Sequence, residues 1–272
     1  MALQFSAGDS IVVTGASSGL GRDIARLFAQ QTGLRVLAVA RRKKELEALR
    51  DELAAAGKGV VVPVEADLGK REGQDAVLNA CKAEKSLRGA VLNAGLTYFG
   101  ESHAQDEASV EQIIAVNVSS VVRMTRELSK ELVGRSTPSH VQLVSSLASF
   151  QPVPYQAVYA GSKAFVTNFG LSKYYELKDT PVKVLVFAPG GIDTEMLDKS
   201  GMRHKWTGGS MGIMSSIECA GACVDQFMRG DMLLVPGMIN KLALFAGRLV
   251  PRSMMVSQAG KMYRDALATR PK

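Results

Sequence analysis

Seven short apolar segments, separated by stretches with helical periodicity, constrain the fold of this chain more than any other feature. They are Ile11–Thr14, Val36–Ala40, Val60–Val64, Ala90–Leu92, Val141–Val144, Val182–Phe187 and Met232–Val235. Their nearly continuous apolar character is typical of strands that are buried on both faces of a parallel sheet. The long stretches with helical periodicity between them are Leu20–Gln31, Glu45–Ala56, Ser109–Leu132 and Gln156–Leu177. This alternation predicts an α/β fold with a doubly wound parallel sheet in three layers.

Composition limits the size and surroundings of this fold. The chain has 272 residues, of which 46% are hydrophobic and 22% charged, and no linker or repeat divides it, so we expect a single domain over residues 1–272. It contains no apolar run of about 20 residues and no signal-peptide pattern, which favours a cytoplasmic location. The net charge of +7 favours anionic partners, namely a phosphorylated cofactor, an acyl carrier or an acidic membrane surface, whereas no nucleic-acid-binding motif is present.

Cysteine and histidine are sparse. We expect Cys81, Cys219 and Cys223 to be buried reduced thiols, because no second Cys or His pair lies near them. The three histidines, His103, His140 and His204, are scattered along the chain. The sequence therefore predicts no metal site.

The stretch TGASSGLG, residues 14–21, follows the first predicted strand and allows two interpretations. Gly15, Gly19 and Gly21 can form a turn whose backbone N–H groups, at the start of a helix, bind phosphate. The same residues fit G-x-S-x-G, in which Ser17 would be a hydrolase nucleophile. The second interpretation is weak, because no earlier strand supplies a loop for an oxyanion hole and none of the three histidines lies in a sequence context that suggests a catalytic partner.

The end of the second predicted strand indicates which dinucleotide such a turn would hold. An acidic residue there binds a free ribose hydroxyl, whereas arginine suits a 2′-phosphate. Ala40 occupies the position of the acid, and Arg41 and Arg42 follow it. The sequence therefore favours NADP(H), with Arg41 as the main contact and Arg42 beside it, although Arg42 to Lys44 can also be a solvated helix start.

A third stretch carries groups suited to proton transfer. Tyr159 and Lys163 are four residues apart and would share one face of a helix, and Ser145 and Ser146 lie at the end of a strand. An ammonium near the phenol is expected to lower the pKa of Tyr159, which would make it a general acid or base for a carbonyl oxygen. A serine hydroxyl would polarise the same oxygen. Taken alone, a Tyr-x-x-x-Lys pair is often a surface pair.

Three further motifs lie between and after these, namely Asn93-Ala94-Gly95 in VLNAGLTYFG, Asn117 in AVNV and PGGIDT at Pro189–Thr194. Together the motifs resemble the short-chain dehydrogenase/reductase family, in the family's order and at its spacings, over about residues 8–235. The resemblance implies a Rossmann fold and hydride transfer between NADP(H) and a carbonyl or secondary alcohol, and it selects Ser146 over Ser145. It implies Asn117, Ser146, Tyr159 and Lys163 as the catalytic residues. The cofactor contacts that it implies, with Tyr159 and Lys163 shared, are Gly15, Ser17, Ser18, Gly19, Leu20, Gly21, Arg41, Arg42, Asp67, Leu68, Asn93, Ala94, Gly95, Pro189, Gly190, Ile192 and Thr194.

Two segments beyond these motifs bear on substrate and partners. Residues 193–215 would form a lid over the sheet edge, and residues 236–272 form a basic, apolar tail. The tail is loosely similar to those of 3-ketoacyl-CoA and hydroxysteroid reductases, which suggests a lipophilic ketone, 3-oxoacyl or steroid-like substrate. The tail can pack on the domain, on another subunit or on a membrane or lipid surface. The resemblance also implies a homodimer or homotetramer built on the two long helices. A catalytically silent NADP(H)-binding regulator is the alternative function.

Overall fold

A seven-stranded, all-parallel sheet forms the centre of the molecule, in the order β3-β2-β1-β4-β5-β6-β9. The computed structural model describes residues 3–32, 34–195, 197, 212–247 and 249–269. The strands of this sheet are β1 Ser10–Thr14, β2 Arg35–Ala40, β3 Val60–Glu65, β4 Leu87–Leu92, β5 Ser139–Val144, β6 Val182–Phe187 and β9 Leu233–Leu234. The chain runs outward from β1 to β3 and then returns to the other side of β1, so the order reverses between β1 and β4. Ligands of such sheets bind at this reversal, beyond the carboxyl ends of the strands.

Helices cover both faces of the sheet, because each strand buries alternate side chains in opposite directions. Ile11 and Val13 pack in one core with Phe28 of α1, while Val12 packs in the other core with Leu128 of α5. The helices are α1 Gly19–Thr32, α2 Lys43–Ala55, α3 Arg71–Ala83, α4 Glu107–Ile114, α5 Ser120–Gly134, α6 Ala157–Glu176, α7 Ser216–Arg229, α8 Met238–Gly247 and α9 Arg252–Ala268. The predicted three-layer, doubly wound fold is confirmed.

The structure refines two of the predicted elements. The predicted helix Ser109–Leu132 is α4 and α5 joined by a π-helical turn, Ala115–Ser119, which the apolar periodicity did not reveal. A separate pair of three-residue parallel strands, β7 Gly191–Asp193 and β8 Ile213–Ser215, lies at the two ends of the predicted lid. Residues 198–211, most of that lid, lie outside the described residues, so the lid stays a prediction.

The predicted tail contains α8 and α9. Helix α9 returns to the body of the protein, where Arg264 Nε donates to Tyr155 Oη at 3.2 Å and the ring of Tyr263 lies 5.9 Å from that of Phe99. Within the described residues, no helix combines the length and apolarity that crossing a bilayer requires.

Candidate active site

The glycine turn connects β1 to α1 and is held by the end of β4. Gly15 and Gly19 have φ of +72° and +51°, values that favour glycine. A Cβ on Gly21 would lie 2.3 Å from the Gly15 carbonyl oxygen, so only glycine permits this approach of helix to strand. Thr14 Oγ1 accepts from the Asn93 and Ala94 backbone N–H groups, both at 3.0 Å, which joins the two strand ends. The first turn of α1 therefore points free N–H groups at the reversal of the sheet.

Arg42, rather than Arg41, reaches the serines of this turn. Its Nη2 donates to Ser18 Oγ at 2.6 Å and to Ser17 Oγ at 3.2 Å, and its Nη1 lies 3.5 Å from a Glu195 carboxylate oxygen. Arg41 also lines the cavity described below. The structure thus brings both predicted arginines to the turn and adds an acidic neighbour, Glu195, that the sequence did not indicate.

Tyr159 and Lys163 lie on α6 and face the ends of β4 and β5. Lys163 is 5% exposed, its Nζ donates to the Val144 carbonyl at 2.9 Å, and this nitrogen lies 5.9 Å from the centroid of the Tyr159 ring. Burial lowers the pKa of Lys163 from 10.5 to about 8. A Cβ on Gly95 would lie 3.2 Å from Nζ, so the absence of a side chain there leaves the ammonium room.

The pKa of Tyr159 departs from the expectation drawn from its neighbour. The sequence predicted that Lys163 lowers this pKa, but burial raises it, and the hydrogen bond with Ser146 only partly opposes the rise. The physical reason is that the phenol is half-buried in the cavity wall, where loss of hydration disfavours the phenolate more than the hydrogen bond with Ser146 favours it. Tyr159 is therefore a protonated phenol at neutral pH, which suits a proton donor.

The two adjacent serines have different surroundings. Ser145 is buried, donates to the Lys163 carbonyl at 3.0 Å and shares a 2.7 Å hydrogen bond with Thr167 Oγ1. Ser146 instead lies near enough to Tyr159 for its hydroxyl to lower the pKa of that phenol, and its Oγ accepts from the Ala148 N–H at 3.1 Å. The structure places Ser146 beside the phenol, while Ser145 fixes the position of α6 on β5.

Asn117 is fully buried in the π-helical turn between α4 and α5. Its Oδ1 accepts from the Leu96 N–H at 2.8 Å, and its Nδ2 donates to the Leu96 carbonyl at 2.9 Å and to Ser162 Oγ at 3.0 Å. The side chain thus ties the loop after β4 to α6. π-helical turns inside α-helices are frequent at functional sites.

One cavity of about 960 Å³ joins these groups. Every residue predicted for the site lines it except Asn117, whose Oδ1 lies beneath Gly95. The remaining cofactor residues also lie at the ends of strands. Asp67 and Leu68 follow β3, Gly95 follows β4, Pro189 and Gly190 follow β6, and Ile192 and Thr194 lie in and directly after β7. A helix start for a pyrophosphate, two guanidinium groups at one end and a Tyr–Lys pair at the other fit a nicotinamide dinucleotide.

The C-terminal helices supply cavity residues that the sequence did not identify. Asn240 of α8 and Met262 and Tyr263 of α9 line the same cavity as Tyr159, and Phe99 from the loop after β4 lies beside Tyr263. Burial raises the pKa of Tyr263 to about 12, with a smaller contribution from Tyr159, so the two phenols are close enough to interact. The sequence indicated a basic, apolar tail but carried no signal for which of its residues turn toward the sheet.

The described residues offer little support for hydrolase or metal chemistry. His140 is bound through Nδ1 to the Phe227 carbonyl at 2.5 Å, its pKa lowered to about 4 by burial, and His103 is exposed beside Glu101. Neither contacts Ser17, and His204 lies outside the described residues. No group of three His, Cys, Asp or Glu side chains in the described part of the chain is arranged to hold a metal. The three cysteines are buried thiols, as expected.

Comparisons with known proteins agree with this geometry. The family model for short chain dehydrogenases matches residues 9–205. An uncharacterized oxidoreductase of Myxococcus xanthus is 38% identical over 186 residues, covering 68% of this chain and 72% of that protein. A short-chain dehydrogenase of Sphingobium yanoikuyae in complex with NADPH has a TM-score of 0.79 at 24% identity, covering 89% of this chain and 94% of that one.

A further solved structure carries the other nicotinamide cofactor. A short chain dehydrogenase/reductase of Burkholderia phymatum in complex with NAD has a TM-score of 0.80 at 19% identity and covers 90% of this chain and 93% of that one. At these identities the two solved structures show that the fold is shared, whereas the family model and the Myxococcus relative show which family the chain belongs to. The chain is an oxidoreductase of the short-chain dehydrogenase/reductase family.

Proposed function

We propose that the protein is an NADP(H)-dependent reductase of a lipophilic ketone, with Tyr159 as general acid in reduction and general base in the reverse direction. The observation that carries the proposal is the single cavity that holds Ser146, Tyr159 and Lys163 at one end and the glycine turn with Arg41 and Arg42 at the other. When bound, the nicotinamide supplies or accepts the hydride at the carbonyl carbon.

The protein's own residues handle the oxygen and its proton. The raised pKa of Tyr159 keeps its proton in place at neutral pH until a carbonyl oxygen develops negative charge. Ser146, whose Oγ already accepts from Ala148, has its own proton to donate to the same oxygen. We infer that Lys163 stabilises the phenolate that remains, and that Asn117, which fixes the loop at Leu96, supports proton supply from solvent.

The preference for NADP(H) is supported by charge. Arg42 already binds two hydroxyls at the turn, Arg41 lies beside it, and Ala40 provides no carboxylate to bind a free 2′-hydroxyl. A guanidinium pairs with phosphate through two parallel hydrogen bonds. We propose that both arginines contact the 2′-phosphate, with Glu195 releasing Arg42 when the phosphate arrives.

The substrate class follows from the cavity wall near Tyr159. Apolar and aromatic side chains form it, namely Phe99, Leu147, Val153, Leu197, Met262 and Tyr263. Such a wall desolvates an apolar substrate, and Ser146 and Tyr159 would orient its carbonyl. This supports a ketone, 3-oxoacyl or steroid-like compound as substrate.

A homodimer or homotetramer is proposed through α4, α5 and α6. On these helices Phe165 is 43% and Ile114 45% exposed, although both are large and apolar. Exposed apolar patches of this kind mark contacts between proteins. Sedimentation of wild type and of Phe165→Glu, which is expected to dissociate the oligomer, tests this point.

The function is tested with the purified full chain and a panel of simple ketones, steroids and 3-oxoacyl thioesters, followed by NADPH oxidation. Tyr159→Phe is expected to lower turnover of the best substrate by about 10²- to 10⁴-fold, the usual contribution of a general acid, with NADPH affinity retained in a fluorescence titration. Tyr175→Phe, at an exposed tyrosine on the same helix, is the matched control. NADPH binding without turnover of any compound would favour the silent regulator instead, and full activity of Tyr159→Phe would remove the acid role.

A further inference from the structure

Helix α8 is amphipathic in the opposite sense to an ordinary surface helix. Of its residues only Asn240 is buried, whereas Met238, Leu242 and Phe245 are 71%, 61% and 63% exposed. A helix on the surface of a globular protein normally turns its apolar stripe to the core and its polar side to water. Within the part of the chain that the structure describes, the apolar side chains of α8 therefore have no core to pack against.

The exposed side chains form one continuous stripe. Met238, Leu242 and Phe245 follow each other at steps of four and three residues, which places them on one side of α8, and the exposed Leu249 lies just beyond the end of the helix. Ile239, also exposed, lies beside Met238. These five residues are termed the α8 apolar face. Single exposed apolar side chains are normal on soluble proteins, whereas a contiguous group of them marks an interaction site.

The stretch of sequence that contains this face carries basic and no acidic residues. Residues 232–264 contain Lys241, Arg248, Arg252, Lys261 and Arg264 and no Asp or Glu. An apolar stripe flanked by basic residues is the pattern of helices that lie in the surface of an anionic bilayer. A symmetric contact with a second copy would instead bring these positive charges together, because a two-fold interface pairs the same patch with itself.

The buried side of α8 holds the helix in place on the rest of the protein. Asn240 Nδ2 donates to the Pro236 carbonyl at 3.0 Å, and a Cβ on Gly190 would lie 2.6 Å from that nitrogen. Asn240 therefore seats α8 on the loop after β6, and the same side chain lines the cavity. The outward face is held on a fixed support at the substrate end of the site rather than on a loose extension.

We propose that the α8 apolar face, with the exposed basic residues Lys241 and Arg252 beside it in the chain, docks the protein on the surface of an anionic lipid bilayer. The proposal goes beyond the reductase function and does not depend on it, since it concerns only the outer side of α8. It places the protein on the membrane surface, with the apolar side chains at the level of the headgroups and upper acyl chains.

Flotation of the full-length protein with vesicles tests the proposal. Wild type is expected to float with phosphatidylglycerol–phosphatidylcholine vesicles at low salt, to bind phosphatidylcholine vesicles much less, and to lose binding as salt rises. The double variant Leu242→Ser/Phe245→Ser is expected to bind the anionic vesicles about tenfold or more weakly, because both lipid-facing side chains are lost. The matched control, Val60→Ser/Ile217→Ser, removes two exposed apolar side chains elsewhere and is expected to bind like wild type.

The readouts separate this proposal from the others. Circular dichroism and the midpoint of thermal unfolding are compared for the three proteins, and Lys241→Glu provides a second variant that needs no change of apolar residues. Failure of wild type to bind anionic vesicles, or equal binding by the double variant and wild type, would overturn the proposal. A change of oligomeric state in the double variant with no loss of vesicle binding would assign the face to a second copy. None of these results depends on which ketone the protein reduces.

Discussion

The two ends of the cavity are built by opposite means. At the glycine turn, backbone atoms approach so closely that a single Cβ would collide, and the positions of Gly15, Gly19 and Gly21 follow from local spacing. At the substrate end, side chains from α8 and α9, about 80 to 100 residues after Tyr159, complete the wall. The first end tolerates almost no change of shape, whereas the second depends on how a distant segment packs. Substitutions at the two ends should therefore differ in size and in kind.

The largest effect is expected from Gly21→Ala. Its Cβ would meet the Gly15 carbonyl oxygen at 2.3 Å and Asn93 Nδ2 at 2.4 Å, so β1, α1 and the end of β4 must separate. We expect a loss of about 3 kcal/mol in the free energy of unfolding, at the upper end of overpacking effects, together with loss of NADPH binding. Urea denaturation and fluorescence titration measure both.

Gly221→Ala is the control for this substitution. Gly221 lies in α7 with nothing within 4 Å of its added Cβ, so the change should stabilise the helix by roughly 0.5–1 kcal/mol. If Gly21→Ala were as stable as wild type and bound NADPH equally well, the close packing at the turn would not be what limits this end of the cavity.

The next effect in size is a pH dependence of the free energy of unfolding, which we expect from Lys163. Lys163 has a pKa of about 8 when folded and 10.5 when exposed, so between these values the unfolded chain binds more protons. Stability from this residue is therefore present above pH 10.5 and is lost as the pH falls through about 8, by roughly 3 kcal/mol at most.

The measurement for Lys163 is a difference between two proteins. Ionisation of the three buried cysteines in the unfolded chain acts in the opposite direction above pH 9, so wild type alone gives a mixed profile. The free energy of unfolding of wild type minus that of Lys163→Met, followed from pH 7 to pH 10, should rise with pH. If this difference did not change with pH, the pKa of Lys163 would be the same in the folded and the unfolded chain, which would contradict the lowered value.

A smaller effect is expected from the arginines, and it sharpens the assignment at the turn. Removing a charged hydrogen-bonding partner typically costs about 1.5–3 kcal/mol, so Arg42→Ala should weaken NADPH binding by about 10- to 100-fold and NADH binding much less. The sequence favoured Arg41, whereas Arg42 makes the contacts with Ser17 and Ser18. Calorimetric titration of both variants with both cofactors decides which guanidinium dominates. Equal weakening of NADPH and NADH in both variants would contradict recognition of a 2′-phosphate.

The same contrast explains what the sequence could predict. Strands such as β1 and the turn after it are specified by local patterns, an apolar run and glycine spacing, and the predicted sheet is confirmed. The predicted direction of the pKa shift of Tyr159 was wrong, because burial arises from the whole fold and outweighs one adjacent charge. The π-helical turn at Asn117 and the inward side of α8 likewise depend on packing that no spacing encodes.

The smallest effect is expected at the substrate end, from Tyr263→Phe. The variant keeps the ring that packs at 5.9 Å against Phe99 and removes only the hydroxyl from the cavity beside Tyr159. Loss of one neutral hydrogen-bonding group is worth about 0.5–1.5 kcal/mol, so KM for the ketone should change by about 2- to 10-fold while NADPH affinity stays constant. Steady-state kinetics with Tyr175→Phe as control measures this. Because Tyr263 belongs to the tail, identical kinetics in variant and wild type for every substrate would mean that α9 only covers the cavity, and the substrate end would then be defined by the loops after β4 and β5 alone.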